Sequence, residues 1–234
     1  MMYRTILAMT LLLLGLSACN QSTEQDFLAQ SVHGVSTKEL IDRYSECIEL
    51  FPESIECRMK RGALFVRTGQ YKKAHTDFLK ISQTDSRNKE ALMNLGLCDL
   101  NMNNFLEAVK TFTQVIELDS TNGNAYYNRG LAKAAFGANE DAVLDYTRSI
   151  NIDSLRFDAY TNRGLTYKKL QQFDLAINDL LFVVSNKREV ASAHYNLGLA
   201  LFDSGQMEKG CVVFSKASSL GDGDATEILN RFCK

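Results

Sequence analysis

Apolar positions recur along this chain at the 3.6-residue spacing of amphipathic helices, and the helices themselves recur on a longer beat. Glycine stands at Gly62, Gly96, Gly130, Gly164 and Gly198, always 34 residues apart. Twelve positions after each comes a small residue: Ala74, Ala108, Ala142, Ala176, then Gly210. Four positions later comes a large apolar one: Phe78, Phe112, Tyr146, Leu180, Phe214. Each unit holds two short helices, as in Ala125 to Ala132 followed by Glu140 to Tyr146. The glycine and the small residue mark where the two helices cross, because axes only about 8–10 Å apart leave no room for a larger side chain. A glycine inside a helix costs roughly 1 kcal/mol against alanine, so glycine at every period implies a packing reason. The large apolar residue is expected to fill the gap against the next hairpin. One unit cannot bury its apolar face alone, so stability must come from stacked neighbours.

This pattern resembles the tetratricopeptide repeat over about residues 55–224. It departs at the fourth repeat position, usually a large aromatic, which here reads Arg58, Leu92, Tyr126, Tyr160, His194. The resemblance implies an all-α chain, a right-handed superhelical solenoid of helix hairpins with a C-terminal capping helix. The repeats fall at 55–88, 89–122, 123–156, 157–190 and 191–224. Before them, 38–54 reads as a degenerate N-terminal half-repeat, a helix with Leu40, Ile41, Tyr44, Cys47 and Ile48 on one face. After them, 225–234 reads as the closing helix, covering the stack with Ile228, Leu229 and Phe232. Turns between repeats carry Asp85, Asp119 and Asp153, residues of the type that caps a following helix.

The first 18 residues read as a targeting segment rather than structure. Arg4 supplies a positive start, Ile6 to Leu14 a short apolar core, and small residues precede Cys19. The apolar run falls well short of the ~20 residues that a resident membrane helix needs. Leu16-Ser17-Ala18-Cys19 resembles a bacterial lipobox, which implies cleavage before Cys19 and acylation of that residue. The alternative is an ordinary secretory signal with a coincidental cysteine. More than one acyl chain on Cys19 makes a stable anchor where a single chain is marginal. Residues 19–37 are polar and read as a tether. Asn20, rather than aspartate, follows Cys19, which by resemblance to enteric sorting points to the outer membrane. The expected location is therefore a membrane-anchored lipoprotein facing the periplasm or the surface.

Composition narrows the function. The chain has 234 residues, 45% apolar content, a single proline (Pro52) and formal charge −2, which gives no sign of bulk nucleic-acid binding. Charge is uneven: 55–88 carries eight basic and three acidic residues, and 19–54 two basic and seven acidic. These neighbours either satisfy each other or mark an acidic partner or lipid surface near the tethered end.

With Cys19 acylated, five cysteines remain. Cys211, early in the last repeat's second helix, and Cys233, at the end of the antiparallel closing helix, stand level and form one candidate disulfide. Cys47 and Cys57 face each other about Pro52 and form a second. The alternative is five buried thiols, since connectivity is not fixed by sequence. Cys98 reads as a small packed residue.

Catalytic and metal chemistry find no support. His33, His75 and His194 are not at metal-ligand spacing, and no C-x-x-C pair, nucleophile elbow or phosphate-binding glycine loop occurs. Gly221-Asp222-Gly223-Asp224 lacks the remaining ligands of a calcium loop and reads as a turn. No catalytic residue, cofactor, metal or small-molecule substrate is expected.

First helices line the concave surface of such a stack, and such surfaces hold extended partners. The groove residues expected from the register are Met93, Asn94, Tyr127, Asn128, Leu131, Asn162, Leu165, Tyr195 and Asn196. Asparagine amides both donate and accept, as a bound main chain requires. Tyrosine and methionine supply contact area, although asparagine and tyrosine are also generic packing residues of the repeat. The leucine row argues against a polar clamp for acidic tails. The expected function is a non-catalytic protein–protein interaction scaffold of the bacterial cell envelope. The alternative is a fixed structural subunit of an outer-membrane assembly complex, and a cell-wall hydrolase or its activator has less support.

Overall fold

The computed structural model of the chain describes residues 24–25, 27–28, 34–187 and 190–233. Cys19, His33 and the targeting segment lie outside them. From Thr37 onward the described residues form twelve helices with no strand among them: α1 (Thr37–Leu50), α2 (Ile55–Arg67), α3 (Tyr71–Thr84), α4 (Lys89–Asn101), α5 (Phe105–Leu118), α6 (Gly123–Ala135), α7 (Asn139–Ile152), α8 (Phe157–Lys169), α9 (Phe173–Asn186), α10 (Ala191–Asp203), α11 (Met207–Ser219) and α12 (Gly223–Phe232). The chain divides into two compact units, Met1–Cys98 and Asp99–Lys234.

In the first unit α1 opens on a capping box. The Ser36 hydroxyl accepts from the Glu39 amide, and the Glu39 carboxylate accepts from the Ser36 amide at 2.9 Å. This holds the Glu39 carboxyl below the usual carboxylate range. Tyr44, Cys47 and Cys57 form the core between α1 and α2. Cys47 and Cys57 are disulfide-bonded, with Cα atoms 6.2 Å apart. Phe27 and Leu28 pack onto the same core. Arg43 donates to the Phe27 carbonyl and lies over its ring, and the Ser54 hydroxyl donates to Glu24. The polar stretch 19–37 is therefore not a free tether throughout: its two large apolar side chains, Phe27 and Leu28, are worth burying. Arg58, at the usual aromatic position, turns its guanidinium to the Pro52 carbonyl at 2.6 Å.

In the second unit α5 to α11 pack as successive antiparallel neighbours, and α12 lies on α11. One core joins Ala176, Ile177 and Leu180 of α9 to Leu197, Ala200 and Leu201 of α10. Another joins Phe214 and Ala217 of α11 to Ala225 of α12, with Ile228 and Leu229 alongside. Cys211 and Cys233 are disulfide-bonded across α11 and α12, with Cα atoms 5.6 Å apart. Cys98 is a buried thiol.

The glycine ladder has a specific steric cause. A Cβ built on Gly62 would lie 2.7 Å from the Phe78 ring, on Gly130 2.8 Å from Tyr146, and on Gly198 2.7 Å from Phe214. The large apolar residue thus lies across the glycine of its own hairpin; it does more than fill the gap toward the next one. Where that residue is Leu180, the clearance at Gly164 widens to 3.1 Å. Gly210 replaces alanine because the Phe202 ring occupies the space that a Cβ would need.

A second periodic device is an arginine before the glycine. Arg61 donates from Nε and Nη2 to the two carboxylate oxygens of Asp77 at 2.9 and 2.6 Å, and from Nη1 to Ser45 Oγ at 3.0 Å. Arg129 does the same with Asp145 and Thr113, and Arg163 with Asp179 and Thr147. Each guanidinium ties three helices together. Burial opposes the charge on Arg163, but the Asp179 carboxylate outweighs it and raises the pKa. Where the repeat has no such arginine, as at Leu95 and Leu197, the equivalent sets are Leu79, Leu95, Thr111 and Leu181, Leu197, Val213, so all members change together.

Hairpin turns reuse one backbone. Gly69, Asn103, Gly137, Gln171 and Gly205, spaced by 34, all have positive φ, from 59° to 95°. The following amide closes back on the helix, as Ala138 N to Lys133 O at 2.9 Å, a Schellman ending. Inter-repeat aspartates do not cap the next helix as expected. Asp85, Asp119 and Asp153 accept from amides two residues on, while Asn88 and Asn122 cap α4 and α6. The first residue of the next helix lies four positions beyond each aspartate, out of its reach.

Candidate interaction groove

The groove positions sit on first helices, where spacings of one and four residues bring Tyr127, Asn128 and Leu131 to one side of α6. They divide between the units: Met93 and Asn94 belong to the first, and the other seven to the second.

Tyr127 is half-buried, and its ring meets two neighbours. Its centroid lies 6.0 Å from that of Tyr146, and the Arg156 guanidinium lies 5.5 Å from it. Arg156 is itself held by Asn124, with Nη2 donating to Oδ1 at 2.6 Å. Burial raises the Tyr127 pKa, and Asp158 adds to the effect, so the hydroxyl keeps its proton. Asn162 on α8 donates from Nδ2 to the Tyr127 hydroxyl at 2.9 Å and to the Asp158 carbonyl at 3.0 Å. A carbonyl only accepts, so the amide nitrogen must face Asp158. Its Oδ1 is thereby turned the other way and presents an acceptor.

Leu131, Asn162 and Leu165 line one cavity of about 410 Å³ between α6 and α8, with Tyr146, Lys168 and Lys169 at its walls. Half-buried leucines at this spacing form a floor for an apolar side chain, and the Asn162 amide sits beside it as a polar fix for orientation. Tyr195 lies elsewhere, packed on Phe214 with centroids 5.8 Å apart, and lines a cavity of about 240 Å³ against α12. Asn128 and Asn196 are half-buried. In the first unit, Met59, Lys60 and Ala63 of α2 line a third cavity of about 400 Å³ with Asn88 and Glu90.

His194 is buried, its Nδ1 3.1 Å from the Val190 carbonyl. Asp222 of the glycine–aspartate stretch caps α12 through the Ala225 amide at 2.8 Å. Among the described residues no group of three or more His, Cys, Asp or Glu is placed to hold a metal ion. The register missed Lys168 and Lys169 at the α8 end, and the carboxylates that α12 brings to Tyr195. The lysines were legible as a charged pair following the apolar row; the carboxylates were not, because they come from another element.

Tetratricopeptide repeat family models match residues 89–122 and 161–210. No curated protein matches the chain. Among solved structures, a MamA protein is similar at 24% identity and TM-score 0.66, covering 78% of this chain and 97% of that one. MamA from Desulfovibrio magneticus RS-1 is similar at 18% identity and TM-score 0.69, covering 72% and 95%. YrrB, described as a TPR protein with an unusual peptide-binding site, is similar at 18% identity and TM-score 0.68, covering 81% and 98%. Twelve helices without a strand among the described residues, consecutive helix pairing and these likenesses show one fold, the all-α solenoid of tetratricopeptide repeats.

Proposed function

We propose that the chain is a non-catalytic protein–protein interaction scaffold of the bacterial cell envelope, held at a membrane by an acylated Cys19. It binds a partner segment on the first-helix face of its repeats. The supporting observation is the apolar cavity between α6 and α8, with Asn162 fixed in its lining through the two bonds that its Nδ2 donates to Tyr127 and Asp158. Peptide binding by YrrB, a protein of the same fold, agrees with this use of the surface. Anchoring to a membrane raises the local concentration of scaffold and partner without any new contact.

The test is capture of the tagged full-length chain from cells after crosslinking. A specific partner recovered with the native chain should be lost with Leu131→Arg, which places a charge in the cavity, while circular dichroism stays native. Cys19→Ser should move the chain from the membrane fraction to the soluble one and remove palmitate labelling. A membrane protein recovered in fixed stoichiometry and indifferent to Leu131→Arg would show a fixed structural subunit instead.

A further inference from the structure

The first-helix side of the second unit carries two cavities of opposite electrical character. At the α6–α8 cavity the charged lining groups are Lys168 and Lys169. Lys168 Nζ is held by Asp203 at 3.1 Å, and Lys169 is exposed. At the α10–α12 cavity the lining brings Asp224 and Glu227 next to Tyr195, Ile228 and Phe232. Arg231 shares this lining, but its guanidinium lies over the Phe232 ring, 5.1 Å from the centroid. Burial raises the Tyr195 pKa, and Asp224, Asp222 and Glu227 raise it further, so three carboxylates act on the space before that hydroxyl.

This inference rests on the groove reading above and adds the chemistry of the occupant. We propose that the second unit binds an extended segment of another polypeptide with a set charge order: an acidic side chain at Lys169, an apolar one between Leu131 and Leu165, and a lysine or arginine at the Tyr195–Asp224–Glu227 cavity. A volume of about 240 Å³ has room for one long side chain. The aliphatic stem of a lysine or arginine packs on Ile228 and Phe232, while its charged head meets two carboxylates and an aromatic ring. Neighbouring helices are about 8–10 Å apart, the cavity lies between α10 and α12 and so about one and a half such steps from α8, and Lys169 lies eight positions, or about 12 Å, further along its helix than the counterpart of Tyr195. The two charged points are therefore about 20 Å apart, or roughly six residues of extended chain. A segment with like charges at both ends meets repulsion at one of them, which excludes wrong partners.

The test uses the full-length chain with disulfides intact and fluorescein-labelled synthetic peptides read by anisotropy. Two bipolar peptides carry acidic and basic residues six apart around a leucine pair, one in each chain direction. Controls are doubly acidic, doubly basic and neutral peptides of equal length. The better bipolar peptide should bind at least tenfold more tightly than every control, with the contrast shrinking in 0.5 M salt. Lys169→Glu should transfer the preference to the doubly basic peptide. Asp224→Lys with Glu227→Lys should transfer it to the doubly acidic one. If all peptides bind within threefold of each other and Leu131→Arg abolishes them all, the charge order is wrong while the groove reading stands. If the preference ignores both charge reversals, the order is likewise wrong. If no peptide binds, both readings fall.

Discussion

Arg129 holds Asp145 by two parallel bonds, Nε to Oδ2 at 2.9 Å and Nη2 to Oδ1 at 2.6 Å, with Asp145 nearly buried. Lys133 reaches the same carboxylate at 2.9 Å. Removing an anion from such a site strands its cations away from water, and that penalty exceeds the worth of the pair itself. Asp145→Ala should lower stability by about 3 kcal/mol, read from urea unfolding. Leu197 and Val213 of the fifth repeat, with Leu181 of the fourth, show the apolar solution. Installing it as Thr113→Leu, Arg129→Leu and Asp145→Val together should recover most of the loss. A triple variant no better than Asp145→Ala would show that the charge network is irreplaceable.

Gly130→Ala puts a methyl 2.8 Å from the Tyr146 ring, too close to be accommodated unless the ring or the helix shifts. Overpacking of this kind costs about 1–3 kcal/mol. The fourth repeat, where leucine replaces the ring, leaves 3.1 Å. Tyr146→Leu should therefore partly rescue Gly130→Ala although it is destabilising alone, and a double-variant cycle measures the coupling.

Gln171 holds φ at 59° where three of the equivalent turns use glycine. The left-handed conformation costs an ordinary residue roughly 1–2 kcal/mol, part of which glycine returns through its freer unfolded chain. Gln171→Gly should raise stability by about 0.5–1 kcal/mol, seen as a higher melting temperature. An unchanged or lower temperature would show that the Gln171 side chain contributes something that its backbone conceals.

Burial, then Tyr127 and Asp145, drives the Tyr146 pKa far above the ordinary tyrosine value. The fold thus keeps a proton that the unfolded chain gives up at about pH 10. That contribution is complete below about pH 10 and is lost as pH rises beyond it, because the native state then binds more protons than the unfolded one. Urea unfolding from pH 9 to 11.5 should show stability falling with pH, and Tyr146→Phe should flatten part of the fall. Equal slopes for the two proteins would mean that Tyr146 ionises without unfolding.

The sequence by itself determined the fold class. A helix repeats every 3.6 residues and a hairpin every 34 here, and both periods are properties of the chain alone. That periodicity also carried the first-helix register, hence the places of Leu131, Asn162 and Leu165 on one cavity. Even the arginine device is written in the chain, since its three positions change together at spacings of 16 residues.

Only the tertiary structure decided which atoms those spacings bring together. That the glycines make room for their own hairpin's ring depends on how two helices cross, which no spacing specifies. The inter-repeat aspartates look like helix caps until the helix start is seen to lie out of reach. Phe27 and Leu28 read as part of a polar stretch because composition averages over them, yet a small apolar core admits individual side chains. The face of the Asn162 amide is set by a carbonyl acceptor one helical turn earlier together with a hydroxyl from the preceding repeat. The meeting of Asp224 and Glu227 with Tyr195 depends on where the closing helix lands. Periodicity is local and survives in the sequence; convergence of side chains from separate elements is a product of packing and does not.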